Sequence, residues 1–167
     1  MTSTYQPEAW QTLYSTLATS VAALAGLLFV AMSLHIEAIM HAPLLRLRAA
    51  VNAMGLVLAF TEAGVVLIPQ SFVALGIEVT MLGILSLLLP ASFGIRLIRA
   101  NITNRKQWRT PAFACVYLVG IVGGVLVALD LTLGMYLVTA QYFATIALFF
   151  TNAWVMMIGV SEEETAS

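Results

Sequence analysis

Long apolar runs separated by short polar breaks account for most of this chain. Residues 9–36 contain no aspartate, glutamate, lysine or arginine, and about 20 apolar residues in a helix suffice to cross a bilayer. The runs are too long for strands and lack the period-two alternation that strands show. The pattern therefore predicts membrane-spanning helices at about these residues: 9–40, 43–68, 71–99, 110–130 and 136–160.

Prolines and a threonine mark the predicted helix ends. Pro43 and Pro111 lie where proline is favoured, in the first turn of a helix, and Thr110 is a candidate N-cap. Pro69 ends the second predicted helix, and Pro90 predicts a kink in the third. The predicted fold class is all-α, a polytopic membrane protein built as a bundle of five transmembrane helices. Its single domain covers residues 1–167, with short polar tails at 1–8 and 161–167 and a turn at 132–135.

The amino-acid composition also indicates a bilayer environment. Of the 167 residues, 61% are hydrophobic and only 9% are charged, against about half and about a quarter in soluble domains. A small soluble domain buries only about two-thirds of the surface of its unfolded chain, too little to hide so much apolar surface. A formal net charge of −1 predicts no nucleic-acid partner. We expect a multi-pass protein of the cell (cytoplasmic) membrane, surrounded by lipid, with its lone Cys115 buried.

The placement of lysine and arginine predicts an orientation. All seven positive charges fall at the predicted connections of one side, and such residues favour the cytoplasmic side of a membrane. The N-terminus is therefore expected outside. These residues are expected to meet anionic lipid headgroups, with docking of an acidic partner as the alternative. They are Arg46, Arg48, Arg96, Arg99, Arg105, Lys106 and Arg109.

Aromatic residues give a second indication of direction. Tryptophan and tyrosine are enriched where helices leave the hydrocarbon. The following residues are predicted near the outer face, with Trp108 near the inner: Tyr5, Trp10, Tyr14, Tyr136 and Tyr142.

Acidic residues within the predicted spans point most directly to function, because ionisable groups are costly inside a membrane. Glu62 and Glu78 each lie eight positions from Gln70. A tight hairpin at Gln70 would place both carboxyls about 10 Å inside the outer helix ends. Two close carboxyls would share a proton or hold a cation, and the alternative is neutral acids hydrogen-bonded across helices. Asp130 is expected on the same side, and Glu37 lies at the inner end of the first helix.

A stripe of small and weakly polar residues runs along the first predicted helix. Its spacing of three and four positions keeps it on one helix face. Such a face allows close helix packing, or lines a narrow pore when several copies surround an axis. The stripe consists of Ser15, Thr19, Ala22, Gly26, Val30, Ser33 and Glu37.

Two histidines near the inner end of that helix are candidate metal ligands. His35 and His41 are six positions apart and do not share a helix face, whereas Glu37 and His41 are four apart and can pair. Interfacial residues are the simpler interpretation, with a transition-metal site as the alternative. No haem or other cofactor is expected.

The fourth predicted helix has Gly120, Gly124 and Ala128 at intervals of four, a spacing typical of helix-packing faces. Asn152, midway along the fifth, is predicted to hydrogen-bond a neighbouring helix. The sequence has no Gly-rich phosphate loop, no His-Glu-x-x-His motif and no Gly-x-Ser-x-Gly motif, which are signatures of common enzyme classes. We therefore do not expect an enzyme.

The run from Ser20 to His35 resembles the first helix of small multi-pass membrane proteins that are frequent in actinobacteria. The shared pattern is an Ala-rich stretch, then Leu-x-Gly-Leu-x-Phe-Val-Ala, then Ser. The likeness covers about residues 15–40 and is only topological beyond. It implies a bacterial cytoplasmic membrane protein and carries no particular activity.

Part of the same helix is similar to the pore helix of Orai calcium channels. Gly26 and Val30-Ala31-Met32 match that family's small residues before its selectivity glutamate. Glu37 is offset from that glutamate, and the predicted orientation is reversed. The likeness implies a pore on this helix and nothing about the rest of the chain.

These features together predict a small homo-oligomeric channel or transporter that moves a cation or protons. Glu62, Glu78 and Asp130 would form an outer site, and the stripe from Ser15 to Glu37 would line a path or a subunit interface. One alternative is a non-transporting modulator or subunit of another membrane complex. Another is a lipid-binding membrane protein.

Overall fold

The computed structural model describes residues 7–41, 43–99 and 109–166, and all regular secondary structure in these ranges is α-helical. The all-α prediction is confirmed for this part of the chain. The helices are α1 Pro7–Leu34, α2 Ile36–His41, α3 Pro43–Leu67, α4 Phe72–Arg99, α5 Arg109–Ala128 and α6 Thr132–Ala166.

In the described part of the chain, three helices are long and apolar enough to cross a membrane. The qualifying stretches of α1, α3 and α6 are Trp10–Leu34, Leu45–Leu67 and Thr132–Trp154. Shorter apolar stretches lie in α4 and α5, at Phe72–Leu88 and Ala112–Ala128. This architecture is compatible with a membrane-embedded protein.

Large apolar side chains cover the outside of the five long helices. Phe29 of α1 is 72% exposed and Met81 of α4 is 66% exposed, and Val57, Val122 and Phe143 are at least half exposed on α3, α5 and α6. Soluble proteins seldom expose contiguous apolar surface on this scale. Lipid tails are a favourable solvent for such a surface.

Helices α4 and α5 are antiparallel and touch through small residues. An added Cβ at Gly124 would lie 2.5 Å from Thr80 Oγ1, and one at Gly76 would overlap the backbone of Ala128. Small residues allow this close approach, which favours helix association in a membrane. Gly120, one turn from Gly124, instead faces α6.

Helix α6 contacts α1, α2, α3 and α5. It runs antiparallel to α3, since Asn52 pairs with Asn152 while Gly55 lies against Phe149 nearer the start of α6. It runs parallel to α1, where Tyr14 Oη and Thr139 Oγ1 are 3.0 Å apart.

The first predicted helix, residues 9–40, is interrupted in the structure. It divides at His35 into α1 and the short α2, which packs on α3. Ile39 of α2 is 2% exposed and belongs to the core. The prediction of one continuous helix was wrong at this one-residue break, although the Ile39 N–H still donates to His35 O at 3.1 Å.

The turn between α5 and α6 is tighter than predicted. The Asp130 N–H donates to Val127 O at 2.9 Å and the Leu131 N–H donates to Leu126 O at 3.0 Å, the paired bonds of a Schellman motif. Asp130 has a φ of 57°, the left-handed conformation that this motif requires.

At this turn, the end of α5 and the start of α6 differ from the predicted boundaries. Residues 132–135, predicted as the turn, belong to α6, and α5 ends at Ala128 rather than at 130. Helix α6 also continues past the predicted end at residue 160 to Ala166. Cys115 is exposed on α5, so the expectation that it is buried was wrong.

Substitutions at Asp130 test the Schellman turn. Asp130→Gly is expected to be more stable than Asp130→Ala by about 1 kcal/mol, because glycine adopts positive φ without steric cost. It should therefore unfold at a higher temperature. Both variants lose the same charge, so their difference isolates backbone conformation. Thermal unfolding in detergent micelles measures it, and equal midpoints would contradict the assignment.

Candidate functional site

A polar cluster lies inside the apolar bundle. Its centre is Glu62 of α3, which is 7% exposed and lies little more than one turn before the end of α3, roughly 8 Å. Helices α4, α5 and α6 each contribute polar side chains around it. We call these residues the Glu62 cluster: Glu62, Ser86, Tyr117, Gln141, Tyr142 and Thr145.

Gln141 of α6 holds the Glu62 carboxyl. In the amide orientation that satisfies both polar atoms, Gln141 Nε2 donates to Glu62 Oε1 at 2.8 Å and to Val138 O at 3.3 Å, and Gln141 Oε1 accepts from Thr145 Oγ1 at 3.0 Å. The opposite orientation leaves a single contact of 3.5 Å to Glu62. We adopt the first orientation because it pairs every donor with an acceptor.

Two buried phenols complete the cluster. Tyr117 hydrogen-bonds Ser86, and both phenols lie within electrostatic range of the Glu62 carboxyl. Tyr142 is fully buried, and within the described protein its hydroxyl has no hydrogen-bond partner. Tyr14 of α1 contacts the Tyr142 ring edge-on, with centroids 6.0 Å apart.

A glycine makes room for this arrangement. A Cβ at Gly120 of α5 would lie 2.9 Å from the Gln141 side chain, so a larger residue would displace the amide from Glu62. Gly120, predicted as a helix-packing residue, therefore forms one wall of the Glu62 cluster. Gly124 and Ala128 contact α4 instead.

The described positive side chains lie far from Glu62. Arg46 and Arg48 are near the start of α3, about 20 Å or more along the helix. Arg96, Arg99 and Arg109 lie in α4 and α5, but their side chains are outside the described part. Arg105 and Lys106 are outside it altogether, as are Tyr5 and Trp108.

Glu78 has different surroundings from Glu62. It is exposed on α4, and Gln70 Nε2 donates to its Oε2 at 2.8 Å and to Val65 O at 3.1 Å. Glu78 therefore lies at the surface, beside the connection between α3 and α4. The two acids are close to the same end of the bundle, one inside it and one outside.

Asp130 and Glu37 are also exposed. Asp130 occupies the left-handed position of the α5–α6 turn, which is a structural reason for an aspartate there. Glu37 lies on α2, at the other end of the bundle from Asp130.

The stripe of α1 and α2 faces outward along its whole length. All seven residues, from Ser15 to Glu37, are exposed, and an added Cβ at Gly26 would meet no atom within 4 Å. The hydroxyls of Ser15, Thr19 and Ser33 donate to carbonyls of their own helix. These three hydroxyls thus need no water to be satisfied, and the face points away from the other described helices.

The structure gives the following contacts and exposures for the predicted aromatic belt and for the predicted histidine site. Trp10 and Tyr136 contact edge-on at a centroid distance of 5.2 Å, with Tyr136 exposed. Tyr14 and Tyr142 are fully buried within the bundle, and their placement toward the outer face stays a prediction. His41 is exposed, and among the described residues no group of three or more His, Cys, Asp or Glu could hold a metal ion.

Sequence reasoning missed most members of the Glu62 cluster. Gln141 carried a usable signal, since an amide within an apolar run is costly unless it is paired. Ser86 and Thr145 carried none, because hydroxyls in membrane helices often bond to their own backbone. The predicted inter-helix bond of Asn152 is confirmed by its 2.6 Å contact with Asn52 Oδ1.

The fold and interior define a class: an apolar helical bundle, compatible with a membrane, that buries one carboxyl among amide and hydroxyl groups. Comparison with known proteins finds no matching family model, no matching curated protein and no matching solved structure. The function is therefore inferred from the Glu62 cluster itself.

Proposed function

We propose that this chain is a small membrane channel or transporter that moves protons, or a small cation, through Glu62. The observation that carries the proposal is a single carboxyl, 7% exposed, inside a bundle whose outside is apolar. An ionisable group at such a position is costly, and those that occur in membrane proteins commonly mark ion or proton pathways.

The chemistry of the cluster favours a proton or a monovalent cation. No positive side chain in the described part of the chain lies near Glu62, and a buried carboxyl without such a partner is neutralised by a proton or a bound cation. Gln141 holds one carboxyl oxygen, which leaves the other to bind a proton or an ion. Hydroxyl and carboxyl oxygens suit hard cations, but a single acid gives little charge for a divalent ion.

The path would enter at the end of the bundle where α3 meets α4. Glu78 and Asp130 are exposed near that end and would attract cations toward Glu62. We place this end outside the cell, with the basic residues and anionic headgroups at the other end.

We further propose that all five long helices cross the cytoplasmic membrane. Helix α4 has 28 residues and α5 has 20, and a helix of about 20 residues spans roughly 30 Å. The outward stripe of α1 would then contact a second copy of the chain, or line a pore between copies.

Proton flux in liposomes tests the proposal. Purified protein is reconstituted with an internal pH-sensitive dye, and an imposed potassium gradient with valinomycin drives proton entry. Glu62→Gln is expected to reduce flux to the level of protein-free liposomes, since an amide neither binds nor releases a proton at neutral pH. Glu78→Gln is expected to reduce it less, because Glu78 lies at the surface.

The matched control is Thr61→Val. Thr61 is exposed beside Glu62, and its hydroxyl donates to Val57 O of its own helix, so flux should be unchanged. Sodium and potassium gradients without a proton gradient distinguish cation from proton movement. Wild-type flux equal to that of empty liposomes, or full flux in Glu62→Gln, would contradict the proposal.

The second candidate is a non-transporting modulator of another membrane complex. It is favoured by the exposed small-residue stripe, where Gly26 leaves open space for a partner helix. Absence of flux together with a stoichiometric partner purified from native membranes would select this function.

A further inference from the structure

A second polar layer joins the same two helices, α3 and α6. Asn152 Nδ2 donates to Asn52 Oδ1 at 2.6 Å, and Asn52 is fully buried. The Nδ2 of Asn52 has no hydrogen-bond partner within the described protein. Exchanging oxygen and nitrogen in both amides together would keep this bond and leave Asn52 Oδ1 without a partner in place of Nδ2, whereas exchanging them in one amide alone would break it.

The two buried groups without partners lie at two levels of one seam. Tyr142 is next to Gln141, which bonds Glu62, and Asn52 lies ten positions before Glu62 on α3, about 15 Å toward the start of that helix. Buried polar atoms in proteins nearly always have a partner, and ordered water supplies it where protein atoms do not. Each level therefore has a buried polar atom that a bound water molecule would satisfy.

An apolar segment separates the two levels. Phe149 of α6 is 3% exposed and its ring lies directly on Gly55 of α3, where any side chain would overlap it. Leu56 and Ala59, on the Glu62 side of Gly55, are also buried. Glycine at position 55 thus lets the ring fill the seam between the levels.

We propose that the α3–α6 seam binds water at two levels, beside Tyr142 and beside Asn52, and that the Phe149 ring separates them. The hydration sites follow from the unpartnered donors alone. The role of Phe149 as the barrier between them on a proton path rests on the proposed function. A proton that leaves Glu62 would then reach the Asn52 level only when the ring moves.

Hydration is tested without any transport assay. The sequence has four asparagines, so selective labelling of asparagine side-chain nitrogen gives few signals. Solid-state NMR in bilayers then measures magnetisation transfer from water to each amide. Asn52→Leu and Asn152→Leu assign the two signals. Rapid transfer to the Asn52 amide is expected. No transfer to it would overturn the proposal that the seam binds water at two levels.

The barrier is tested by Phe149→Ala in the liposome assay. Proton flux is expected to rise about tenfold, equivalent to a barrier lowered by about 1.4 kcal/mol. The matched control is Phe150→Ala, because the neighbouring ring is 58% exposed and its loss should leave flux unchanged. If Phe149→Ala does not fold, Phe149→Leu keeps much of the volume and should give a smaller rise.

Failure of the two proposals gives different results. Loss of flux in Glu62→Gln with unchanged flux in folded Phe149→Ala or Phe149→Leu would overturn the barrier and leave the proposed function intact. Full flux in Glu62→Gln would overturn the proposed function, while the NMR measurement would still decide the hydration sites. Raised flux that persists in the double variant Phe149→Ala/Glu62→Gln would show a leak and overturn the barrier on the Glu62 path.

Discussion

Gly76→Ala is expected to destabilise the bundle by about 1–3 kcal/mol, the usual cost of an overpacked contact. The same change at Gly64 should leave stability unchanged or slightly higher. Each substitution adds one methyl group within a helix. An alanine also gains up to about 1 kcal/mol over glycine in helix propensity, so any loss at Gly76 must come from its contacts.

The two glycines differ in what a methyl group would meet. At Gly76 it would overlap the backbone of Ala128 on α5, whereas at Gly64 it would meet nothing within 4 Å. A backbone cannot rotate away as a side chain can, so α4 and α5 would have to separate. That separation would also disturb the contact of Thr80 with Gly124.

Unfolding in mixed micelles with increasing denaturing detergent, followed by circular dichroism, measures both variants under one condition. Gly76→Ala should unfold well before the wild type, and Gly64→Ala should unfold with it or after it. A midpoint for Gly76→Ala equal to that of Gly64→Ala would show that α4 and α5 are not in backbone contact.

Gln141→Leu is expected to lower stability by about 1–3 kcal/mol, the cost of leaving a buried polar group without its partner. The substitution removes the amide that donates to Glu62 and accepts from Thr145. Adding Glu62→Met removes the unpaired carboxyl, so the double variant should recover part of the loss. The coupling of the two changes in a double-mutant cycle measures their interaction.

Gln70→Leu is the matched control for Gln141→Leu. Gln70 also donates to a glutamate, at 2.8 Å, but that glutamate is the exposed Glu78. Water or lipid headgroups can replace the lost donor there, so the change in stability should be small. Strictly additive effects of Gln141→Leu and Glu62→Met would contradict a direct contact between the two residues.

The helices and the distance of Glu62 from the end of α3 could be predicted because both depend on local features. Pro43 and Pro69 mark ends of α3, Ser71 Oγ accepts from the Ala74 N–H at 3.3 Å as the N-cap of α4, and the helical rise fixes how far Glu62 lies from its helix end. The break at His35 has no comparable proline or glycine signal.

The direction of each acid could not be predicted. Glu62 and Glu78 are placed symmetrically about Gln70, yet one is buried and the other exposed. In a soluble helix, the apolar side would indicate the inward direction. These helices are apolar on their outward faces as well, so the sequence pattern does not distinguish inside from outside.

The partners of Glu62 depend on contacts between helices that are distant in sequence. Gln141 lies on α6, which is separated from α3 in the sequence by α4 and α5. No local pattern identifies which of several polar residues will share that seam. Gly120 could be predicted as a small packing residue, but not as the wall of a polar site.

The pairing of α3 with α6 has a consequence for biogenesis. Synthesis proceeds from the N-terminus, so in the membrane-spanning chain that we propose, Glu62 and Asn52 would enter the bilayer before Gln141 and Asn152 are made. Until the last helix arrives, a carboxyl and an amide of α3 lack the partners they have in the finished bundle. A chain arrested after α5 would therefore expose these groups to lipid or to the insertion machinery, giving membrane proteases a means of distinguishing incomplete chains from finished ones.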